Sequence, residues 1–378
     1  MKKIYLIFIS LAFLLNSSCD DYLDIVPDNV TTLDHAFSDK VSAERFLATI
    51  YSYMPKIGDC SYDPAIQSSD EFVICESTWD ASGFANYPGN RIKSGLQNTN
   101  SPYYNFWEGI NGGRGLFIAL RDCNIFLENI DKVGADLYED EREQWIAEVK
   151  FFKAFYHFYL LRMYGPIPLI KENFPISSGT SEIRMYRDTF DDCVDYIVQL
   201  LDEALEVLPL TVNNAATEYG RIVKPIAATL KADVLITAAS PLFNGNTDFA
   251  KLVDNRGIKL FNETYDESKW QKAAKACKEA IDICNDANIS LYTFNDNRYS
   301  LSDQTKQLLT IRNIMTKWNQ EMIWANPQAT TNGYQTSTLP FLTQAHISAA
   351  ATNPAYGASL NMAELFYSKN GVPIEEDI

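Results

Sequence analysis

Two of the six tryptophans lie outside both the helical and the buried-looking stretches of the sequence, where their rings are free to form a binding surface. Trp79 lies in a long stretch without helical spacing, residues 56–102, and Trp318 lies in a later irregular stretch. Aromatic faces pack against the flat C–H faces of sugar rings, while amide and charged side chains bind the hydroxyl groups. The two tryptophans therefore predict a surface that suits a carbohydrate.

Polar and aromatic side chains accompany both tryptophans. The candidate ligand-binding residues beside them are Phe84, Asn86, Tyr87 and Arg91 in the first stretch, and Asn319, Asn332 and Tyr334 in the second. A loop as long as 56–102 inside a compact domain usually has a function. An alternative stays open, in which the rings of the first stretch only hold the loop against the protein body.

The sequence shows no motif for catalysis or for metal binding. It has three histidines and contains no HExxH, GxSxG, Walker or EF-hand motif. His157 lies within an apolar helical stretch and is predicted to be a hydrogen-bonded core residue. Acidic pairs such as Asp70 and Glu71 arise by chance in a chain with 49 acidic residues. We expect no enzymatic activity, no cofactor and no metal site.

Charge and cysteine content restrict the partners and the chemistry. The formal net charge is −17 and the sequence pI is about 4.6, so the surface repels the phosphates of nucleic acids. None of the seven cysteines forms a CxxC pair. Cys277 and Cys284 lie roughly 10 Å apart along a predicted helix, too far for a disulfide. A bridge between Cys60 and Cys75 remains open.

The first residues have the pattern of a secretory signal. Lys2 and Lys3 precede an apolar run over residues 4–15 that is too short to span a bilayer as a mature helix. Small residues then lead directly to Cys19. The pattern predicts a signal peptide over residues 1–18 and lipidation of Cys19, with several acyl chains giving a durable membrane anchor. The alternative is an ordinary signal peptide with an incidental cysteine.

A long helix is predicted to organise the rest of the chain. Over residues 141–170 the apolar side chains recur at steps of three and four and also fill much of the remaining circumference. Such a helix needs other helices on several sides, which predicts an all-α core. Gly165 and Pro166 end the helix because glycine adopts a left-handed conformation and proline cannot continue the hydrogen bonding.

Other amphipathic stretches supply the helices around it. Helical spacing predicts these at residues 38–55, 103–130, 186–208, 220–246 and 268–287. Trp145 and Trp270 are predicted to lie on buried helix faces. The glycine-rich GINGGRG stretch follows no strand, so it predicts a tight contact or a kink and not a phosphate-binding loop. Beyond Leu291 the pattern is mixed.

Several of these blocks resemble the SusD/RagB family, surface lipoproteins of Bacteroidota that capture nutrients for an outer-membrane transporter. The resemblance is carried by CDDYLDIVPD, AEVKFFKAFYHFYLLRMYGPIPLI, GRIVKPIAATLKADVLITAASPLFNGN, EMIWANPQ and GASLNMAELFYSKNGVPIEEDI. It implies a mostly α fold with a tetratricopeptide-like helical-repeat core, long loops and a partial, irregular second half. The predicted helices do not follow the 34-residue period of such repeats, so the repeat assignment comes from the resemblance alone.

The resemblance also implies a function and a domain division. It implies a lipid-anchored protein on the surface of the outer membrane that binds an oligosaccharide or another nutrient and passes it to a TonB-dependent, SusC-like transporter. The expected parts are a signal peptide (1–18), a helical region (19–245) and a C-terminal region (246–378) that we expect to be incomplete, because family members continue further. A helical-repeat protein that binds a peptide or protein partner is the alternative, and a glycan-active enzyme comes last.

Overall fold

The regular secondary structure of the described residues is almost entirely α-helical. The computed structural model describes residues 33–59, 61–74, 86–296, 298, 300–326 and 356–377. In chain order the α-helices are α1 (Leu33–Ala36), α2 (Lys40–Ser52), α3 (Pro64–Gln67), α4 (Pro88–Lys93), α5 (Leu116–Asn129), α6 (Glu139–Tyr164), α7 (Phe190–Val207), α8 (Ala215–Glu218), α9 (Lys224–Ala239), α10 (Glu267–Asp286), α11 (Asp303–Thr316) and α12 (Leu360–Glu364). Single turns of 3-10 helix cover Ile130–Lys132 and Ile374–Glu376.

Helix α6 is the centre of the core, as the sequence predicts. Three acidic residues lie in its first turn, where they face the positive end of the helix dipole. Its side chains are buried around most of the circumference, and Trp145, Phe151, Phe152 and Tyr156 are among the most fully buried. Gly165 ends the helix with a φ of +69°, a conformation that favours glycine.

The other long helices pack against α6 and then against one another in succession. Helices α5 and α7 contact α6, α9 contacts α7, and α10 contacts α9, while α2 lies against both α5 and α6. This succession of paired helices is a tetratricopeptide-like array, and it confirms the mostly α fold class. One hydrophobic cluster runs from Phe37 to Phe261 through α2, α5, α6, α7 and α9.

Helix α10 packs through small side chains, which corrects the predicted buried face. Its buried residues are Ala273, Ala276 and Ala280, and two of them join alanines of α9 in a separate cluster. Trp270 is 41% exposed, so the prediction that it lies on a buried face was wrong. Alanine faces let two helix backbones approach closely, so α10 packs on α9 through its alanines and not through the stripe that includes Trp270.

Four other elements differ from the predicted pattern. Helix α5 begins at Leu116 and not near residue 103, because Gly109 and Gly112 adopt φ of +83° and +91° and form turns. Helix α11 was not predicted. Strands β1 (Phe72–Ile74) and β2 (Tyr356–Ala358) pair antiparallel, and neither was predicted, because three residues are too few to show a period.

His157 is a satisfied core histidine, as predicted. Its ring is fully buried, Nδ1 lies 2.7 Å from the carbonyl oxygen of Lys153, and Nε2 accepts a hydrogen bond of 3.1 Å from the amide of Ile170. Burial lowers its pKa to about 3. Cys277 and Cys284 are free thiols. Cys19, Cys60 and Cys75 lie outside the described residues.

Candidate ligand-binding site

Two exposed aromatic rings meet at the surface between distant parts of the chain. The ring centroids of Tyr219 and Trp318 lie 4.7 Å apart with an interplanar angle of 63°. Tyr219 is 60% exposed and Trp318 is 49% exposed. Edge-to-face packing of this kind holds the rings in position while leaving ring faces open to a ligand.

A short, well-capped helix positions Tyr219. In α8 the side chain of Asn214 accepts a hydrogen bond from the amide of Ala216, and Glu218 accepts bonds from the amides of Asn213 and Asn214. Tyr219 follows directly, and the next residue, Gly220, has a φ of +97°. This sharp turn ends α8 and leaves the Tyr219 ring at the surface.

The end of α11 positions Trp318. The side-chain amide of Asn319 donates to the carbonyl oxygens of Asn313 and Lys317, at 3.1 and 2.8 Å, and its oxygen accepts from the amide of Glu321 at 2.9 Å. These bonds satisfy carbonyl groups that a helix end leaves free. Asn319, which the sequence suggested as a partner for sugar hydroxyls, therefore holds the backbone beside Trp318 instead.

The aromatic pair borders an open cavity of about 460 Å³, here called the aromatic cleft. It is lined by Tyr51, Met54, Tyr219, Gly220, Arg221, Trp318, Trp324, Ala325 and Asn326. Trp324 forms an inner wall and packs edge-to-face on Phe151 and Phe155 of α6, at 5.7 Å each. The side-chain amide of Asn326 donates to the carbonyl oxygen of Pro55 at 3.0 Å.

A buried carboxylate lies beneath this cleft and connects it to α6. Glu148 accepts hydrogen bonds from the Tyr51 hydroxyl at 2.6 Å, from Gln144 at 2.9 Å and from the guanidinium of Arg221 at 3.1 Å. The Tyr51 hydroxyl in turn accepts a bond of 3.2 Å from the amide of Ile222. The network fastens the segment after Tyr219 to both α2 and α6.

The burial of this network changes the acidity of its members. Burial raises the pKa of Glu148, although the Arg221 guanidinium opposes the shift. Burial and the adjacent Glu148 carboxylate raise the pKa of Tyr51 well above its usual value. Burial opposes the charge of Arg221, but the paired carboxylate overcomes it and raises the pKa of the guanidinium. The carboxylate is hydrogen-bonded on both oxygens and so serves as a fixed anchor.

The first predicted loop has only three candidate residues in the described part of the chain. Tyr87 precedes α4, Arg91 lies within it, and the guanidinium of Arg91 donates to the side-chain oxygen of Asn86 at 2.5 Å. The two cavities that Trp318 lines include none of these three. The other predicted ligand-binding residues, Trp79, Phe84, Asn332 and Tyr334, lie outside the described residues.

Several residues at the aromatic cleft were not predicted from the sequence. Tyr219 falls in the break between two helical patterns, the same signal that singled out Trp318, and could have been found by it. Tyr51 and Glu148 belong to amphipathic helix patterns, so nothing in the sequence separates them from ordinary helix residues. Their shared place beneath the cleft depends on how α2 packs on α6.

Two further features of the described residues bear on the class of protein. Within them, no group of three or more His, Cys, Asp or Glu side chains is arranged to hold a metal ion. None of the described helices combines the length and the apolar character needed to cross a membrane.

An array of packed helices with an exposed aromatic cleft is a helical-repeat scaffold of the tetratricopeptide-like kind. More specifically, the chain belongs to the SusD-like family described as "Starch-binding associating with outer membrane", whose model matches residues 21–230. This confirms the resemblance to the SusD/RagB family. No curated protein sequence matches the chain significantly.

Solved structures with the same fold are longer than this chain. The structure of BT4246 is 28% identical to this chain with a TM-score of 0.74, and the match covers 90% of this chain and 59% of BT4246. The structure of its selenomethionine form is 26% identical with a TM-score of 0.71, and the match covers 89% of this chain and 58% of the other. A laminarin-binding SusD-like protein is 20% identical with a TM-score of 0.48 over 76% and 51%, too distant to bear on function. The chain therefore spans less than two thirds of the length of each.

Proposed function

We propose that this protein binds an oligosaccharide at the aromatic cleft. The observation that carries the proposal is the exposed, edge-to-face pair of Tyr219 and Trp318 at the mouth of that cleft. Ring faces at the surface suit the C–H faces of sugars, which stack on aromatic side chains. The description of the family as starch-binding supports the same class of ligand. We infer binding and not hydrolysis.

The cellular role we propose follows the family. Residues 1–18 direct export, Cys19 carries the lipid anchor, and the protein stands on the surface of the outer membrane. There it passes its ligand to a TonB-dependent, SusC-like transporter. The helical region 19–245 supplies Tyr219, and the C-terminal region 246–378 supplies Trp318, so the cleft lies where the two regions meet. The family's association with the outer membrane supports this placement.

Trp79, Phe84, Asn86, Tyr87 and Arg91 form a second group of proposed contacts. Asn86 and Arg91 already bond to each other, which orients both groups near Tyr87. Asn332 and Tyr334 remain proposed contacts beyond Trp318. A longer oligosaccharide is needed to reach from the aromatic cleft to Asn86, Tyr87 and Arg91, since the cavities around Trp318 include none of these three.

The deciding experiment is a binding screen of the chain from Asp20 onward against polysaccharides and peptides by isothermal titration calorimetry. Trp318→Ala and Tyr219→Ala should each weaken binding of a glycan about tenfold or more, since one stacked ring contributes roughly 1–3 kcal/mol when a ligand ring packs on it. Trp270→Ala is the matched control, because Trp270 is also exposed but lines neither cavity beside Trp318.

Two outcomes would count against this site. Glycan binding that is equally strong in all three variants would move the site away from the aromatic cleft. Binding of peptides with no glycan bound would favour the alternative function, a helical-repeat protein with a peptide or protein partner. The transporter is tested separately, by cross-linking in intact cells and mass spectrometry, which should recover a TonB-dependent transporter with the tagged protein.

A further inference from the structure

A second cavity of about 310 Å³ is also lined by the aromatic pair and is here called the apolar pocket. It shares Tyr219, Arg221, Trp318 and Trp324 with the aromatic cleft, so the two cavities adjoin. The rest of its wall is dominated by aliphatic side chains, among them Leu210, Val212, Val223, Ile226, Ile289 and Ile323.

Three polar side chains in the wall of the apolar pocket, those of Arg221, Asn319 and Gln320, are already engaged, whereas Thr211 and Asn288 lie in the same wall with exposed side chains. Arg221 donates to Glu148, Asn319 donates to carbonyl groups at the end of α11, and the amide of Gln320 donates to the carbonyl oxygen of Leu291 at 2.9 Å. A ligand hydroxyl could bond to these side chains only at the expense of their present bonds.

This wall favours an apolar group over a sugar ring. Burial of a hydroxyl group without a new hydrogen bond is unfavourable. Burial of an apolar group is favourable in proportion to the area removed from water. The available space is sufficient, because an engineered apolar cavity of roughly 150 Å³ already holds a benzene molecule. A planar aromatic group or a short acyl chain fits a pocket of about 310 Å³.

We propose that the ligand is an oligosaccharide whose sugar ring stacks on Tyr219 and Trp318 and which carries an apolar substituent. This substituent, an ester-linked aliphatic or aromatic acyl group, occupies the apolar pocket. The inference rests on the proposed glycan function and adds the substrate class, a substituted glycan. The shared wall of the two cavities is what couples the sugar to its substituent, because a group attached to a ring on the aromatic pair reaches the pocket directly.

The test uses matched pairs of probes. Each polysaccharide of the binding screen is measured in its unsubstituted form and after partial chemical acetylation or benzoylation. The protein with its natural sequence should bind the acylated form about tenfold more tightly, the scale set by burying a small apolar group in a pocket. Ala287→Leu and Ala215→Leu, which place bulk into the pocket wall, should each remove that preference and keep the affinity for the unsubstituted form.

The matched control is Ala216→Leu, an exposed neighbour that does not line the pocket and should keep the preference. Equal affinity for both forms in the natural protein overturns the inference and leaves glycan binding standing. Both proposals are supported if Trp318→Ala weakens the binding of both glycan forms, while Ala287→Leu and Ala215→Leu remove only the preference for the acylated form. Binding of peptides alone, with neither glycan form bound, overturns both.

Discussion

Arg221 holds Glu148 with two hydrogen bonds, from Nε and Nη2, both 3.1 Å long. The Glu148 side chain is completely buried on α6, whereas Arg221 remains 20% exposed and lines the aromatic cleft. A charge pair of this kind specifies geometry, because a buried carboxylate requires its partners. The pair thus links the most buried helix to the surface segment that carries Tyr219.

The first prediction concerns the stability that this pair provides. Glu148→Ala should lower the free energy of unfolding by about 3 kcal/mol, because it removes a buried partner of Arg221 and of the Tyr51 hydroxyl. Urea unfolding followed by circular dichroism measures the change. The same variant should also weaken glycan binding, since the segment beside Tyr219 loses its anchor.

Asp282→Ala is the control for this prediction. Asp282 pairs with Lys278 at 2.5 Å on the exposed side of α10, with side-chain exposures of 54% and 69%. Exposed pairs contribute less than about 1 kcal/mol, so the variant should unfold almost as the natural protein does. Equal losses in the two variants would show that burial of Glu148 is not what makes its pairing important.

The second prediction concerns pH and His157. Its pKa falls from 6.5 to about 3 on folding, so the unfolded chain binds a proton between these values that the folded chain does not. The contribution of His157 to the free energy of unfolding is therefore fully present above pH 6.5 and decreases as the pH falls towards 3. Between pH 7 and pH 5 the loss should be about 2 kcal/mol.

His157→Gln separates this contribution from those of the carboxylates. The variant should be less stable at pH 7, because glutamine does not reproduce both ring hydrogen bonds, but its stability should fall less between pH 7 and pH 5. Nuclear magnetic resonance of the natural protein gives a second measurement, in which the His157 ring should remain neutral at pH 5. A ring that titrates near pH 6.5 would refute the assignment.

The third prediction tests the contact between α3 and α4. A Cβ atom on Gly89 would lie 2.2 Å from Cβ of Gln67 and 2.7 Å from its backbone carbonyl carbon. Gly89→Ala should therefore destabilise the protein by roughly 1–3 kcal/mol through overpacking, measured by thermal unfolding. The helix that would move carries Arg91, so a glycan that contacts the first loop should also bind less tightly.

Gly134→Ala is the matched substitution, since its nearest neighbour to a new Cβ is Oδ1 of Asp136 at 3.8 Å. It should leave the unfolding temperature almost unchanged. An unchanged unfolding temperature in Gly89→Ala as well would show that α3 and α4 can move apart without loss of stability.

The fourth prediction concerns the membrane anchor. Expressed with its leader in a bacterium that exports lipoproteins, the natural chain should incorporate labelled fatty acid and fractionate with the outer membrane. Cys19→Ser should lose both properties, whereas Cys277→Ser, a change in a free thiol of α10, should keep them. Absence of fatty-acid labelling in the natural chain would favour the ordinary signal peptide, and labelling that persists in Cys19→Ser would place the lipid on another residue.

Part of the candidate site could be predicted because its signal is local. Trp318 stands outside any helical stripe, and that fact alone singled it out. Trp270 shows the limit of the same reasoning, since its stripe predicted burial and it is 41% exposed. The pattern identifies the apolar face of a helix, but the choice between a tryptophan stripe and an alanine stripe depends on the neighbouring helix.

By itself, the sequence determined the four longest described helices, α6, α7, α9 and α10, the helix-terminating role of Gly165 and the family to which the chain belongs. These depend on apolar spacing, backbone conformation and motifs, all of which act within a few residues. Only the tertiary structure decided that Tyr219 meets Trp318 and that Glu148 lies beneath them. Such contacts join residues far apart in the chain, and their formation is set by the packing of α2, α6 and α9, which no local pattern encodes.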